Sequence, residues 1–150
     1  MKRLNNILEE VILRLDIKVK NYESIPNTSE NSLALDTDVH IDSQHGIVEL
    51  TNLIVKYPTW LDKLSDDALR GGLAHELGHI TRSASMYKNK VGRSYESVAS
   101  FARKYESSLL GRTLLSLFEI DVNMQLEKQG FKTNLDALRK FYKERGFKIY

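Results

Sequence analysis

The sequence predicts an α+β domain: a small, mostly antiparallel sheet packed on two central helices, one bearing paired histidines and one a lone glutamate, with additional N- and C-terminal helices. Three observations predict it. Apolar residues recur at helical spacing near both ends and through the second half of the chain. Between Ser32 and Leu50 they alternate instead. Residues 75 to 79 read HELGH inside the helix-periodic run LSDDALRGGLAHELGHI.

Taken in order, Leu4, Ile7, Leu8, Val11, Ile12 and Leu15 form the stripe of an amphipathic helix that ends before the loop NYESIPNTSENS. Leu33, Leu35, Val39 and Ile41 then alternate with small or polar residues, and Gly46 separates them from the run Ile47 to Leu50, so two or three strands are expected. The edge strand of such a sheet can hold an extended peptide through backbone hydrogen bonds. Thr51 is placed to cap a short helix, TNLIVKY, closed by Pro58. Ser65 is the stronger cap, because Asp66 and Asp67 follow it in the first turn, where negative charge complements the helix dipole. On that helix Leu69, Leu73, Leu77 and Ile80 share one face, while His75 and His79 share another with the small residues Ala68 and Gly72. Residues 81 to 97 are polar and contain Gly92, which predicts a loop or lid. Helical spacing resumes from about Val98 to Leu110. It begins again near Arg112 and runs to Gly130, a suitable C-terminal cap. A last helix over Asn134 to Arg145 sets Leu135, Leu138, Phe141 and Tyr142 on one side.

Residues 1 to 150 are expected to form a single domain. With 22 basic and 20 acidic residues the chain offers no broad field for nucleic acid. It has no cysteine, which excludes disulfides and thiolate metal sites and leaves histidine and carboxylate as the strong ligands. The first twenty residues carry acidic groups within their apolar stretch and lack a small-residue cleavage site, and no apolar run approaches the roughly 20 residues of a membrane span. A soluble cytoplasmic protein is expected.

On a helix, positions i and i+4 lie one above the other, so His75 and His79 can direct two imidazole nitrogens at one metal ion, with Glu76 beside them to act on a water. A catalytic zinc site takes a third protein ligand. Metzincin spacing would put a histidine at position 85, where Ser85 stands, and no histidine follows His79. Glu119, in EIDVNMQL, is the candidate: it shares a helix side with Val122, Asn123 and Leu126, where a lone buried carboxylate would be costly without a cation. Asp121 points away from it. His40 and His45 flank an expected turn and read as surface groups.

The run LSDDALRGGLAHELGHI resembles the active-site helix of gluzincin peptidases of the HtpX and CAAX-prenyl-endopeptidase kind, and EIDVN is similar to their glutamate-helix pattern, E-x-E-A-D. The resemblance spans about residues 33 to 130, is specific in those two motifs, and is greatest to the minigluzincins, soluble single-domain relatives of those membrane enzymes. It implies a zinc-dependent endopeptidase acting on peptide or protein substrates, with His75, His79 and Glu119 holding Zn²⁺ and Glu76 as general base. Asn123 stands where the family has an aspartate that orients the first histidine; ImmA-type peptidases often carry asparagine there. Tyr87, Tyr95, Tyr142, Arg139 and Arg145 are candidates for stabilising the oxyanion. Some minigluzincins are held latent by a C-terminal segment, and residues 134 to 150 are long enough for that role or for self-association, although Phe141, Tyr142, Phe147 and Tyr150 read first as core or interface. The alternative from another class is an ImmA-like or pseudo-peptidase zinc protein acting as a binding or regulatory module. The intact Glu76 favours the enzyme.

Overall fold

Leu4, Ile7, Leu8 and Val11 line the buried side of helix α1 (Lys2–Arg14), in agreement with their spacing. Its last residue, Arg14, stacks 3.8 Å above the Phe131 ring and donates to the Gly130 carbonyl at 3.0 Å. One side chain thus ties the end of α1 to a turn more than a hundred residues away. The computed structural model describes residues 1–42, 44–45, 47–88 and 91–148; the expected break at Gly46 lies outside them.

The sheet contains β1 (Ile17–Val19), β2 (Tyr22–Pro26), β3 (Ala34–Asp42) and β4 (Ile47–Tyr57). It corrects the expectation of a mostly antiparallel sheet. β1 and β2 both run parallel to β4, in one continuous register, and only β3 pairs with β4 antiparallel. The cause is topological. The β3–β4 hairpin folds β4 back between β3 and the earlier strands, so β4 travels in the direction of β1 and β2. The helix expected over TNLIVKY is likewise absent, because those residues continue β4 to Tyr57. Val48 and Leu50 are buried, and then Leu53 and Val55, so the inward phase of the strand shifts by one residue between them. Asn52 sits at that shift with φ 54°, and the pairing with β3 jumps between Asp36 and Asp38. Asn21 clamps the bulge by donating to Asn52 Oδ1 at 2.9 Å and accepting from the Asn52 backbone N–H at 3.0 Å.

After a short turn at Leu61–Lys63, helix α2 runs from Asp66 to Lys88, with Ser65 Oγ accepting the Ala68 N–H at 3.1 Å as its cap. Leu69, Leu73 and Leu77 are fully buried. Of the loop expected over 81 to 97, residues 81 to 88 are the end of α2 and residues 92 to 97 the start of α3 (Gly92–Lys104), while residues 89 and 90 lie outside the described residues. The side chains of residues 81 to 86 are half-buried, Ala84 continues the buried stripe, and those at the start of α3 are mostly exposed. α3 also begins and ends earlier than the expected helix at 98 to 110. α4 (Leu109–Leu126) starts at Ser108, whose hydroxyl accepts the Gly111 N–H at 3.0 Å. A π-type turn over Glu127–Phe131, with Gly130 at φ 91°, leads into α5 (Lys132–Glu144). Among the described residues, no helix is long and apolar enough to cross a membrane.

α5 is part of the core. Leu135 and Leu138 are buried in it, and α5 starts directly against α2 at Gly71. A Cβ on Gly71 would collide with the Asn134 carbonyl, whose carbon would lie 2.7 Å away. Alanine in a helix is favoured over glycine by about 1 kcal/mol. Against a backbone neighbour, overpacking of about 1–3 kcal/mol outweighs that gain. Gly71→Ala is therefore expected to lower the thermal midpoint by several degrees. Gly72→Ala, which meets only side-chain tips, Leu33 at 3.0 Å and Leu138 at 3.8 Å, should leave it nearly unchanged. Thermal melts of the two variants provide the check.

Candidate metal centre

α2 and α4 are brought together by packing that leaves no room for larger side chains. Gly78 lies where a Cβ would stand 3.0 Å from both Val122 and Leu126 of α4. Four residues further along α2, Arg82 grips Asp121 with two hydrogen bonds of 2.6 and 3.1 Å. Close packing and a two-point, partly buried ion pair fix how far α4 stands from α2 and how it is rotated. The result turns Glu119 toward the histidines and Asp121 away from them.

His75 Nε2 lies 2.6 Å from Glu119 Oε2, and His79 Nε2 lies 3.3 Å from the same oxygen. The two imidazoles stand edge to face, with centroids 4.9 Å apart. One ligand atom from each of His75, His79 and Glu119 falls within 4.8 Å of the others, so the three could hold a metal ion. Asn123 Oδ1 accepts from His75 Nδ1 at 2.8 Å, which places a proton on Nδ1 and aims Nε2 at the centre of the triad. All three triad side chains are partly buried.

The charges follow from this geometry. Burial pushes the Glu119 carboxyl up, but hydrogen bonds from His75 and His79 outweigh it and hold the carboxyl at about 2. Burial pushes His75 down, and the hydrogen bond and charge of Glu119 reverse that, so its pKa is raised. Without metal, both shifts favour a protonated His75 beside an ionised Glu119. Glu76, half-buried beside His75, is raised above the ordinary carboxylate range by burial, while the two histidines pull against that rise.

Comparison with protein-family models, with characterised proteins and with solved structures finds no match. What can be said of the site rests on its own chemistry. Two imidazoles and one carboxylate form a donor set suited to Zn²⁺. Asn123→Ala removes the acceptor that orients His75 and is expected to weaken zinc binding by about 10–100-fold, as measured by competition with a chromophoric chelator.

The remaining candidates divide clearly. Tyr95 stands with His79, Glu119, Glu96, Arg103 and Phe118 around a cavity of about 230 Å³, its ring edge-on to Phe118 at 5.0 Å. Tyr142 and Arg139 line a cavity of about 40 Å³ together with His75, Asn123 and Lys148. Arg139 binds Glu127 and Asp136, each at 2.9 Å. Arg145 stacks over Phe141 at 4.7 Å. The Tyr87 side chain and Tyr150 lie outside the described residues. Phe141, Tyr142 and Phe147 gather around Trp60, with ring centroids 5.4, 6.4 and 5.7 Å from it. His45 binds Asp42 in the hairpin turn at 2.8 Å, and His40 pairs with Glu49 in the sheet. The Arg82–Asp121 pair escaped the sequence reading. Arg82 follows HELGH by three residues and Asp121 stands within EIDVN, but which helices meet is not written in either motif.

Proposed function

We propose that the chain is a zinc-dependent endopeptidase of the gluzincin kind, with peptide or protein substrates. The observation that carries this reading is the convergence of His75, His79 and Glu119, with half-buried Glu76 next to His75. Three protein ligands leave a coordination position open, as a catalytic site requires. When bound, the ion acts as a Lewis acid on a carbonyl oxygen and brings the pKa of a water toward neutrality. Glu76 accepts the proton of the attacking water and delivers it to the leaving amine; its raised carboxyl suits it to both steps. Asn123 keeps His75 in the tautomer that presents Nε2.

The same reading includes latency. Tyr142, raised to about 12 by burial and by the negative charge of Glu76, stays protonated and lies close to the general base. With Lys148 it lines the cavity at His75, which supports a C-terminal segment acting as a cover on that side of the site. Cutting before Asn134 would remove Leu135 and Leu138 from the core, so the informative deletion is short.

The test measures zinc content and cleavage of quenched peptides by the full chain, by Glu76→Gln, by Tyr142→Ala and by a chain ending at Gly146. Stoichiometric zinc with turnover that rises in the last two forms, and is lost in the first variant, supports a latent peptidase. Zinc without turnover in any form would move the assignment to a binding or regulatory zinc protein.

A further inference from the structure

The triad stands between two cavities. The smaller lies on the α5 side, at His75 and Tyr142. The larger, of about 230 Å³, lies on the α3 side, and His79 and Glu119 themselves border it. Among the described residues, none of α5 or of the C-terminal segment lines that second cavity. Its α3 wall is one helix face, with Glu96 and Arg103 seven residues apart and Ala99 and Ser100 between them, too small to fill the space. The volume exceeds the about 150 Å³ that admits a benzene-sized group and falls below the about 300 Å³ at which pockets for whole small molecules begin. It has room for one side chain of a longer substrate. Whatever enters it lies against two of the three triad residues.

The charges around this cavity are unequal. Glu119 is committed to the two histidines, and Glu96 has an interaction of its own. Arg103 makes no hydrogen bond or ion pair among the described residues, whereas Arg70, Arg82 and Arg139 each hold a carboxylate. The positive charge of Arg103 also reaches the space in front of the triad. Burial, Asp121 and Glu119 raise the Tyr95 hydroxyl, and Arg82 and Arg103 pull against that rise. A guanidinium without a partner offers a planar fork of donors that matches a carboxylate.

Given the peptidase reading above, on which this rests, we propose that the cavity receives the substrate residue beside the scissile bond and that Arg103 selects a carboxylate there. Two sources present that group: a glutamate side chain within the peptide, or the free C-terminus of the peptide. Arg103 stands on α3, while the general base and the ligands stand on α2 and α4, so selection and chemistry can be separated by substitution. Arg103 is exposed, and glutamine and glutamate are both good helix formers, so its replacement does not threaten the fold.

The test reads binding first, by fluorescence anisotropy, with the zinc-loaded full chain carrying Glu76→Gln. The probes are short labelled peptides, amidated at the C-terminus and identical except for glutamate, glutamine or lysine at one central position. A further pair has alanine there and ends in either an amide or a free carboxylate. The glutamate peptide should bind about 3–10-fold more tightly than the glutamine peptide, as a solvent-accessible ion pair allows. Adding Arg103→Gln should remove that difference, and Arg103→Glu should turn the preference toward lysine. If the free carboxylate of the alanine pair is favoured instead, and Arg103→Gln abolishes the advantage, the selected group is the C-terminus. Affinities within twofold across all the probes overturn the proposal, as does a preference that survives Arg103→Gln or an absence of binding below about 1 mM. Cleavage of the same peptides by the unaltered chain and by Tyr142→Ala, mapped by mass spectrometry, separates the two readings. Cleavage without carboxylate preference sinks the role of Arg103 and leaves the peptidase standing. No cleavage by either form sinks the peptidase, and the substrate role of the cavity with it, even where Arg103 still selects carboxylates.

Discussion

Glu76→Gln is expected to lower kcat by about 10²–10⁴-fold while zinc content and KM stay close to those of the unaltered protein. The substitution is nearly isosteric, so the half-buried space beside His75 stays filled and α2 keeps its packing. What changes is the ability to take a proton from water and return it to the leaving amine. Burial raises the Glu76 carboxyl, which strengthens it as a base, and an amide at the same place has no such capacity. Removing the charge also relieves Tyr142, whose pKa should fall from about 12 because one of the two causes of its rise has gone. The two readouts are independent: peptide turnover follows the chemistry, and ultraviolet titration of the tyrosines follows the geometry. Turnover within threefold of the unaltered protein would sink the role assigned to Glu76. An unmoved Tyr142 would sink the covering contact instead.

The candidate site was legible for a local reason. His75 and His79 are one helical turn apart, so their common direction follows from α-helix geometry alone, and Glu119 is the carboxylate whose helix side also carries Val122, Asn123 and Leu126. The burial of α1 and the cap at Ser65 were legible in the same way. Strand direction was not, because alternation reads the same in parallel and antiparallel strands; only the return of β4 between its neighbours decides it. The segment TNLIVKY misled for a specific reason. The bulge at Asn52 shifts the phase of β4, leaving Leu50 and Leu53 three apart, a spacing that mimics a helix. Residues 81 to 86 read as a loop because polar and small side chains there, Arg82 among them, are half-buried through contacts with other elements, and Ala84 is the buried anchor. The contacts of Gly71 and Gly78 and the Arg82–Asp121 pair depend on which helices meet, and composition does not contain that.

Glu119→Ala should weaken zinc binding by more than the about 10–100-fold expected for Asn123→Ala, because it removes a ligand and not merely the group that orients one. The proton inventory gives this prediction a second, sharper form. In the metal-free triad the His75 Nε2 proton is shared with Glu119 at 2.6 Å, and a metal must displace it. Zinc uptake near pH 7 should therefore release protons, visible as a calorimetric heat that changes with the ionisation enthalpy of the buffer. In Glu119→Ala the hydrogen bond and charge that raise His75 are gone, so burial alone acts on it, its pKa falls, and fewer protons are released. Stability of the metal-free protein should report the same pair. The Glu119 carboxyl is depressed from 4.5 to about 2, so its contribution is complete above 4.5 and is lost as pH falls toward 2. His75 is raised above 6.5, so its contribution is complete below 6.5 and is lost as pH rises through its folded value. The difference in urea midpoint between the metal-free protein and Glu119→Ala should accordingly be widest between about pH 4.5 and 6.5 and should narrow on both sides. Equal zinc affinity and equal proton release in the two proteins would mean that the third ligand is not Glu119. A widened midpoint gap with equal zinc affinity would mean that the pair serves folding rather than metal binding.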